Sequence, residues 1–213
     1  MAIDLAQQRS RTISIISKYT SYYKYSNKDE QIIISSSLLN IIWNNWCKFW
    51  RNYWIANIGG GIYFDKSIIM GIFPNYDTPQ LCAYLSHLQS IPVKRYTPGS
   101  RLNHFSEPTW GDYNKIINIA SNLSTIPSLG AQMTYLLGLL PSYKDELIEF
   151  QIIRNSFIHL NNNSIKQLEQ LRQFYIFQSS SDILDILNAK RIGNSKVCFQ
   201  SINDNLMGLL RNL

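Results

Sequence analysis

Charged side chains are scarce in this chain. Asp, Glu, Lys and Arg make up 16% of its 213 residues, against about 25% in an ordinary globular domain. A chain held unfolded by charge repulsion is therefore excluded. Ten glycines and seven prolines without a repeating period exclude a collagen-like or coiled-coil chain. Cysteine is rare too. Cys47, Cys82 and Cys198 are far apart, and no C-x-x-C pair exists. With three histidines at the observed spacings they do not complete a closed zinc site. Long apolar runs are also missing. The longest, 129–140, is interrupted by Gln132 and Thr134 and bounded by prolines, so it is too short to span a bilayer. The first residues, MAIDLAQQRSRT, lack the apolar core of a signal peptide. The expectation is a reduced, soluble, cytoplasmic chain with no membrane contact, no metal and no cofactor.

What the chain does have is ordinary apolar content, 45%, and a formal charge of +6. The first suits one domain with a real core. The second permits a polyanionic partner without demanding one. Positive charge is spread along the chain, while 107–150 is net acidic. The patterning reads as all-α over a single domain, 1–213. N-terminal helices and long loops fill 1–110, a helical core fills 111–177, and further helices fill 178–213. Two long helices are expected over 4–26 and 28–57, then loop or a short hairpin near 58–73. Thr78-Pro79 starts a helix with Thr as N-cap, running to about 90. Four prolines or glycines make 91–110 a long irregular loop. Helices follow over 112–122 and 130–140. Ser142-x-x-Asp145 resembles a capping box opening a helix to about 160. Asn161-Asn162-Asn163 stops it, Ser164-x-x-Gln167 restarts a helix to 177, and 181–191 and 201–212 complete the set.

Several patterns invite functional readings. Trp43, Trp46, Trp50 and Trp54 fall within about 80° of one another on a helix. That describes a core or interface stripe. A base-stacking surface is the alternative; an interfacial membrane helix is disfavoured, since only Lys48 and Arg51 supply basic charge opposite. Gly59-Gly60-Gly61 fails as a phosphate loop, because Asp65 stands where the motif needs glycine. His87 lies on an apolar helix and reads as structural. Lys94, Arg95, Arg101 and His104 gather in the long loop and form a candidate substrate-binding group.

The sharpest pattern is Arg154-Asn155-Ser156-Phe157-Ile158-His159, at the end of an amphipathic helix entered through Leu147, Phe150 and Ile153. Composition alone yields R-x(4–6)-H by chance about 0.4 times per chain of this kind, and about 0.04 times with Asn after Arg. Asn155 and His159 are i,i+4 neighbours. Arg154 lies about 140° around from His159, so a bend or a second subunit is expected to unite them. Histidine is the common acid–base residue near neutral pH, and arginine grips phosphate with a planar fork. That set suits RNA cleavage: one group deprotonates the 2′-hydroxyl, Arg stabilises the phosphorane, and an acid protonates the leaving oxygen. A surface ion pair with a helix-ending histidine is the plain alternative.

These residues resemble the HEPN superfamily, whose signature is R-x(4–6)-H, often with Asn after Arg. The order DELIEFQIIRNSFIH, a polar break, then SIKQLEQLRQFYIF is similar over about 111–177, and GDYNKIINIASNL is similar in style to toxin and phage-defence members. The resemblance implies a HEPN-like helical bundle and a homodimer with motif helices facing across a cleft. It implies a metal-independent endoribonuclease leaving a 2′,3′-cyclic phosphate and a 5′-hydroxyl. Arg154 and His159 would be catalytic, Asn155 supporting, RNA the substrate, and an antitoxin or sensor protein a partner. Some relatives are inactive scaffolds, so a non-catalytic interaction subunit or an RNA-binding module stays open.

Overall fold

α-Helices dominate, as the patterning predicts. The computed structural model describes residues 2–89, 96–103, 107, 109–159, 161–177 and 183–213. Among them the chain is all-α, with eight helices and a few two-residue strands: α1 (Leu5–Tyr25), α2 (Lys28–Gly59), α3 (Thr78–Leu88), α4 (Tyr113–Leu123), α5 (Gly130–Leu139), α6 (Lys144–His159), α7 (Asn162–Arg172) and α8 (Cys198–Asn212). No helix among the described residues is long and apolar enough to cross a membrane. The chain forms two compact units, one from 1–12, 45–142 and 213, the other from 13–44 and 143–212.

The first unit is built on aromatic residues. Trp46, Phe49, Trp50, Tyr53 and Trp54 are all but fully buried, as the expected core stripe requires. Trp46 meets Trp50 edge-on at 5.6 Å, and Trp50 stacks on Trp54 at 5.5 Å; such geometries add about 0.5–1.5 kcal/mol per pair beyond area burial. Leu81 and Leu85 of α3, Ile116 and Ile119 of α4, and Met133 and Leu136 of α5 complete this core. The Gly59–Gly61 triplet turns the chain out of α2. Gly60 takes φ 101°, and a side chain at Gly71 would strike the backbone of Gly59. The turn leads into β2 (Gly61–Ile62), which pairs in parallel with β1 (Ile3–Asp4) and antiparallel with β3 (Ile68–Ile69). This is the hairpin expected near 58–73. Helix α3 is capped by Asp77 in a capping box with Gln80, rather than by Thr78: the carboxylate one residue earlier takes the orphan amide.

The second unit packs α6 against α7 and α8. Leu147, Phe150 and Ile153 point inward from α6, Leu168 from α7, and Leu206 and Leu210 from α8. Tyr23 meets Phe199 at 4.3 Å and Trp43 meets Phe150 edge-on at 5.3 Å. Two expectations fail here. Helix α7 ends at Arg172 instead of 177, and 183–191 is not an α-helix. The aromatic and β-branched run Phe174-Tyr175-Ile176 favours extended backbone. It forms β4 (Tyr175–Ile176) against β5 (Lys190–Arg191), after a 3-10 turn over Ile183–Leu187. The asparagine run also acts differently: Asn161 caps α7, its side chain accepting from Ser164 N at 2.9 Å.

Glu149 is buried in this unit. The Tyr175 hydroxyl donates to its Oε2 at 2.6 Å, and Arg191 Nη2 lies 3.1 Å from Oε1. Burial pushes the carboxyl above its ordinary range, outweighing the tyrosine hydrogen bond and the arginine charge that oppose it.

Two predictions follow from this packing. A Cβ at Gly111 would collide with the Trp46 indole and come within 2.9 Å of Cys47 Sγ, while Trp46 Nε1 donates to Gly111 O at 3.0 Å. Gly111→Ala is expected to lower stability by about 1–3 kcal/mol, read from the urea midpoint. For Glu149, the folded chain holds its proton more tightly than the unfolded one, so stability falls as pH rises from 4.5 through the raised pKa. Urea unfolding across that range should show wild type losing stability relative to Glu149→Gln; a pH-independent difference would contradict the assignment.

Candidate functional site

The end of α6 is where the motif residues come together. Its acidic start, Asp145 and Glu146, favours the positive helix end, and His159 closes the last turn, where the dipole is negative. The helix end is clamped by two buried serines. Ser156 Oγ lies 2.8 Å from both Ile152 O and Ser164 O, and Ser164 Oγ donates to Asn161 O at 2.9 Å. This clamp ties α6 to the start of α7 and fixes the turn that carries His159.

On that frame Arg154 is the hub. Its Nη2 donates to Asn40 Oδ1 of α2 at 3.0 Å, and its Nη1 donates to Asn155 Oδ1 at 3.0 Å. The same Nη1 lies 3.3 Å from His159 Nε2. Arg154 and His159 thus meet within one chain, a contact for which neither the bend nor the second subunit offered by the angular spacing is needed. The side chain of Arg154 is long enough to cross the angular gap within one straight helix. Asn155 and His159 are joined through this guanidinium. A guanidinium only donates, so a hydrogen bond at this contact requires the tautomer in which Nε2 accepts. His159 is exposed, and Arg154 and Asn155 are half-buried. The result is a cation, an imidazole and an amide together at an accessible helix end.

Asn40 escaped the sequence reading. It stands among the polar residues of α2, and no local pattern sets it apart. Only the pairing of α2 with α6 in space shows its part.

Lys94, Arg95 and His104 lie outside the described residues. Arg101 belongs to the first unit, where its guanidinium pairs with Asp77 at 2.5 Å. His87 is half-buried beside Tyr96, ring centroids 5.6 Å apart, and burial lowers its pKa. Among the described residues, no group of three or more His, Cys, Asp or Glu side chains is arranged to hold a metal ion. The first unit has its own polar cleft, a cavity of about 450 Å³ lined by Cys47, Lys48, Arg51, Asn52, Glu107 and Trp110. There Arg51 grips Glu107 with two hydrogen bonds, at 2.5 and 2.7 Å, and Trp110 Nε1 donates to the same carboxylate at 2.9 Å. Burial raises the Glu107 pKa, but these bonds outweigh it and the net shift is downward. The cleft's guanidinium is thus already engaged.

Comparison of the chain with protein-family models, with curated proteins and with solved structures finds no match in any of the three.

Asn40→Ala removes an acceptor from a half-buried guanidinium. Its expected cost is about 1–3 kcal/mol, measurable by chemical denaturation, and Asn40→Asp, which keeps an acceptor, should recover most of it.

Proposed function

We propose that the chain is a metal-independent endoribonuclease of the HEPN type, acting as a toxin or phage-defence effector. The observation that carries this reading is the Arg154–Asn155–His159 cluster at an exposed helix end. The reaction needs a base, an acid and a cation. In its neutral form the imidazole offers an acceptor nitrogen beside the guanidinium. A scissile phosphate would draw Arg154 toward its oxygens and leave Nε2 free to take the proton of the ribose 2′-hydroxyl. The 2′-oxygen then bonds to phosphorus as the bond to the 5′-oxygen breaks. Arg154 offsets the charge developing on the phosphorane, and a protonated acid returns a proton to the leaving 5′-oxygen. No water is consumed, and the products are a 2′,3′-cyclic phosphate and a 5′-hydroxyl. A homodimer with facing α6 ends would supply that acid as the second copy's His159. An antitoxin or sensor protein would hold the activity in check.

A second reading is favoured by the Arg154–Asn40 hydrogen bond: Arg154 as a brace between two helices of a non-catalytic interaction subunit. The two readings part on Arg154→Ala and His159→Ala. The ribonuclease reading expects both variants to fold, to lose at least about 100-fold in RNA cleavage, and to spare cells that wild type arrests. The brace reading expects Arg154→Ala to unfold readily and His159→Ala to behave as wild type. Intact RNA with wild-type protein in every oligomeric state, and equal growth for all three, would overturn the ribonuclease reading.

A further inference from the structure

The turn between α1 and α2 carries a group of residues that the motif does not use. Residues 18–28 read Lys-Tyr-Thr-Ser-Tyr-Tyr-Lys-Tyr-Ser-Asn-Lys, with three lysines, four tyrosines and no acid. The tyrosines divide sharply. Tyr23 is 3% exposed, packs on Phe199, and donates its hydroxyl to Asn188 Oδ1 at 3.2 Å. Tyr22 and Tyr25 are 56% and 81% exposed. Lys18, Tyr22 and Tyr25 fall within about 60° on the helix, so the two rings stand on one face with a cation beside them. Lys18 Nζ lies 5.8 Å from the Tyr19 ring and Lys24 Nζ 5.6 Å from the Tyr25 ring.

This face is held rather than loose. Gln31 Nε2 donates to Tyr23 O at 2.9 Å and to Ser26 O at 3.2 Å, and Asn188 Nδ2 donates to Gln31 Oε1 at 3.1 Å. Asn27 and Glu30 cap the start of α2 reciprocally, which occupies the Glu30 carboxylate, while Lys28 leans on Asp185 at 3.9 Å. Among the described residues of this turn, Lys18 and Lys24 form no ion pair and are the cations offered to phosphate, while Asp29 and Glu30 open α2 with negative charge. Exposed aromatic rings between cations are what unpaired bases stack on, with the cations following the backbone.

We propose that Tyr22 and Tyr25, flanked by Lys18 and Lys24, form a stacking face for single-stranded RNA. The proposal rests on the ribonuclease reading for its purpose, since it names the form of substrate that the α6 site would receive. The face and the Arg154 site belong to the same unit. Along α2, Lys28 and Asn40, the latter bonded to Arg154, are twelve residues apart, about 18 Å. A short single strand covers that span.

The test is fluorescence anisotropy of a fluorescein-labelled oligouridylate and of its duplex with oligoadenylate, on full-length protein, over a salt series. Cleavage of a longer RNA and light scattering are followed in parallel. Tyr22→Ala/Tyr25→Ala is expected to weaken single-strand binding by at least about tenfold, with Tyr22→Phe/Tyr25→Phe near wild type. Lys18→Gln/Lys24→Gln should lower the slope of log affinity against log salt by about 1.4. Equal binding by wild type and the double alanine variant, or equal affinity for duplex and single strand, overturns the proposal. So does loss of a wild-type oligomer in the alanine variant, which would make the face a contact between copies. Binding without cleavage in any oligomeric state, with equal growth of wild type and the Arg154 and His159 variants, leaves the stacking face standing and the ribonuclease reading refuted; cleavage with no effect of the tyrosine variants does the reverse.

Discussion

The edge-on contact of Trp43 with Phe150 sets the geometry on which the candidate site depends. Trp43 lies three residues after Asn40 on α2, and Phe150 four residues before Arg154 on α6. Both spacings keep each pair on one helix face. Packing the two rings at 5.3 Å therefore brings Asn40 opposite Arg154, and the polar bond of 3.0 Å follows from the apolar one. Burying a large aromatic is worth about 2–3 kcal/mol, and a hydrogen bond from a charged guanidinium about 1.5–3 kcal/mol. The two contacts are of similar size, so together they hold the register, and the amide orients the guanidinium.

The clamp at the other end of the motif works by a different principle. Ser156 and Ser164 are 1% and 5% exposed, so their hydroxyls need partners inside the protein. Ser156 finds one across the α6–α7 junction, at Ser164 O, and Ser164 finds one at Asn161 O. An exposed histidine is thereby mounted on a buried polar anchor, and the imidazole stays accessible while its backbone is fixed. Arg154 is held from α2 and His159 from α7. The motif residues share one helix but draw their orientation from two neighbours.

Much of this was legible in the chain. The break at Ser26-Asn27, the tryptophan stripe and the glycine turn each follow from local chemistry, and the helices other than α7 end within a few residues of where that chemistry predicts. What local chemistry could not decide was tertiary. Tyr175 and Lys190 look compatible with helices until they pair as strands, and the pairing depends on a partner fourteen or more residues away. Arg154 seemed to point away from His159 because angular position describes where a side chain starts, not how far it reaches. Asn40 carried no signal at all, since its significance comes from a residue 114 positions later.

Helix α2 runs 32 residues, about 48 Å, without a proline or an internal glycine. A rod of that kind has no slack. One residue inserted between Lys28 and Asn40 would rotate everything beyond it by about 100° relative to the turn, sending Asn40 and Trp43 off the faces they use. Change in this stretch is therefore confined to substitution. Length variation has to be accommodated in the loops, and the spacing between the tyrosine turn and the arginine hub behaves as a fixed dimension of the protein.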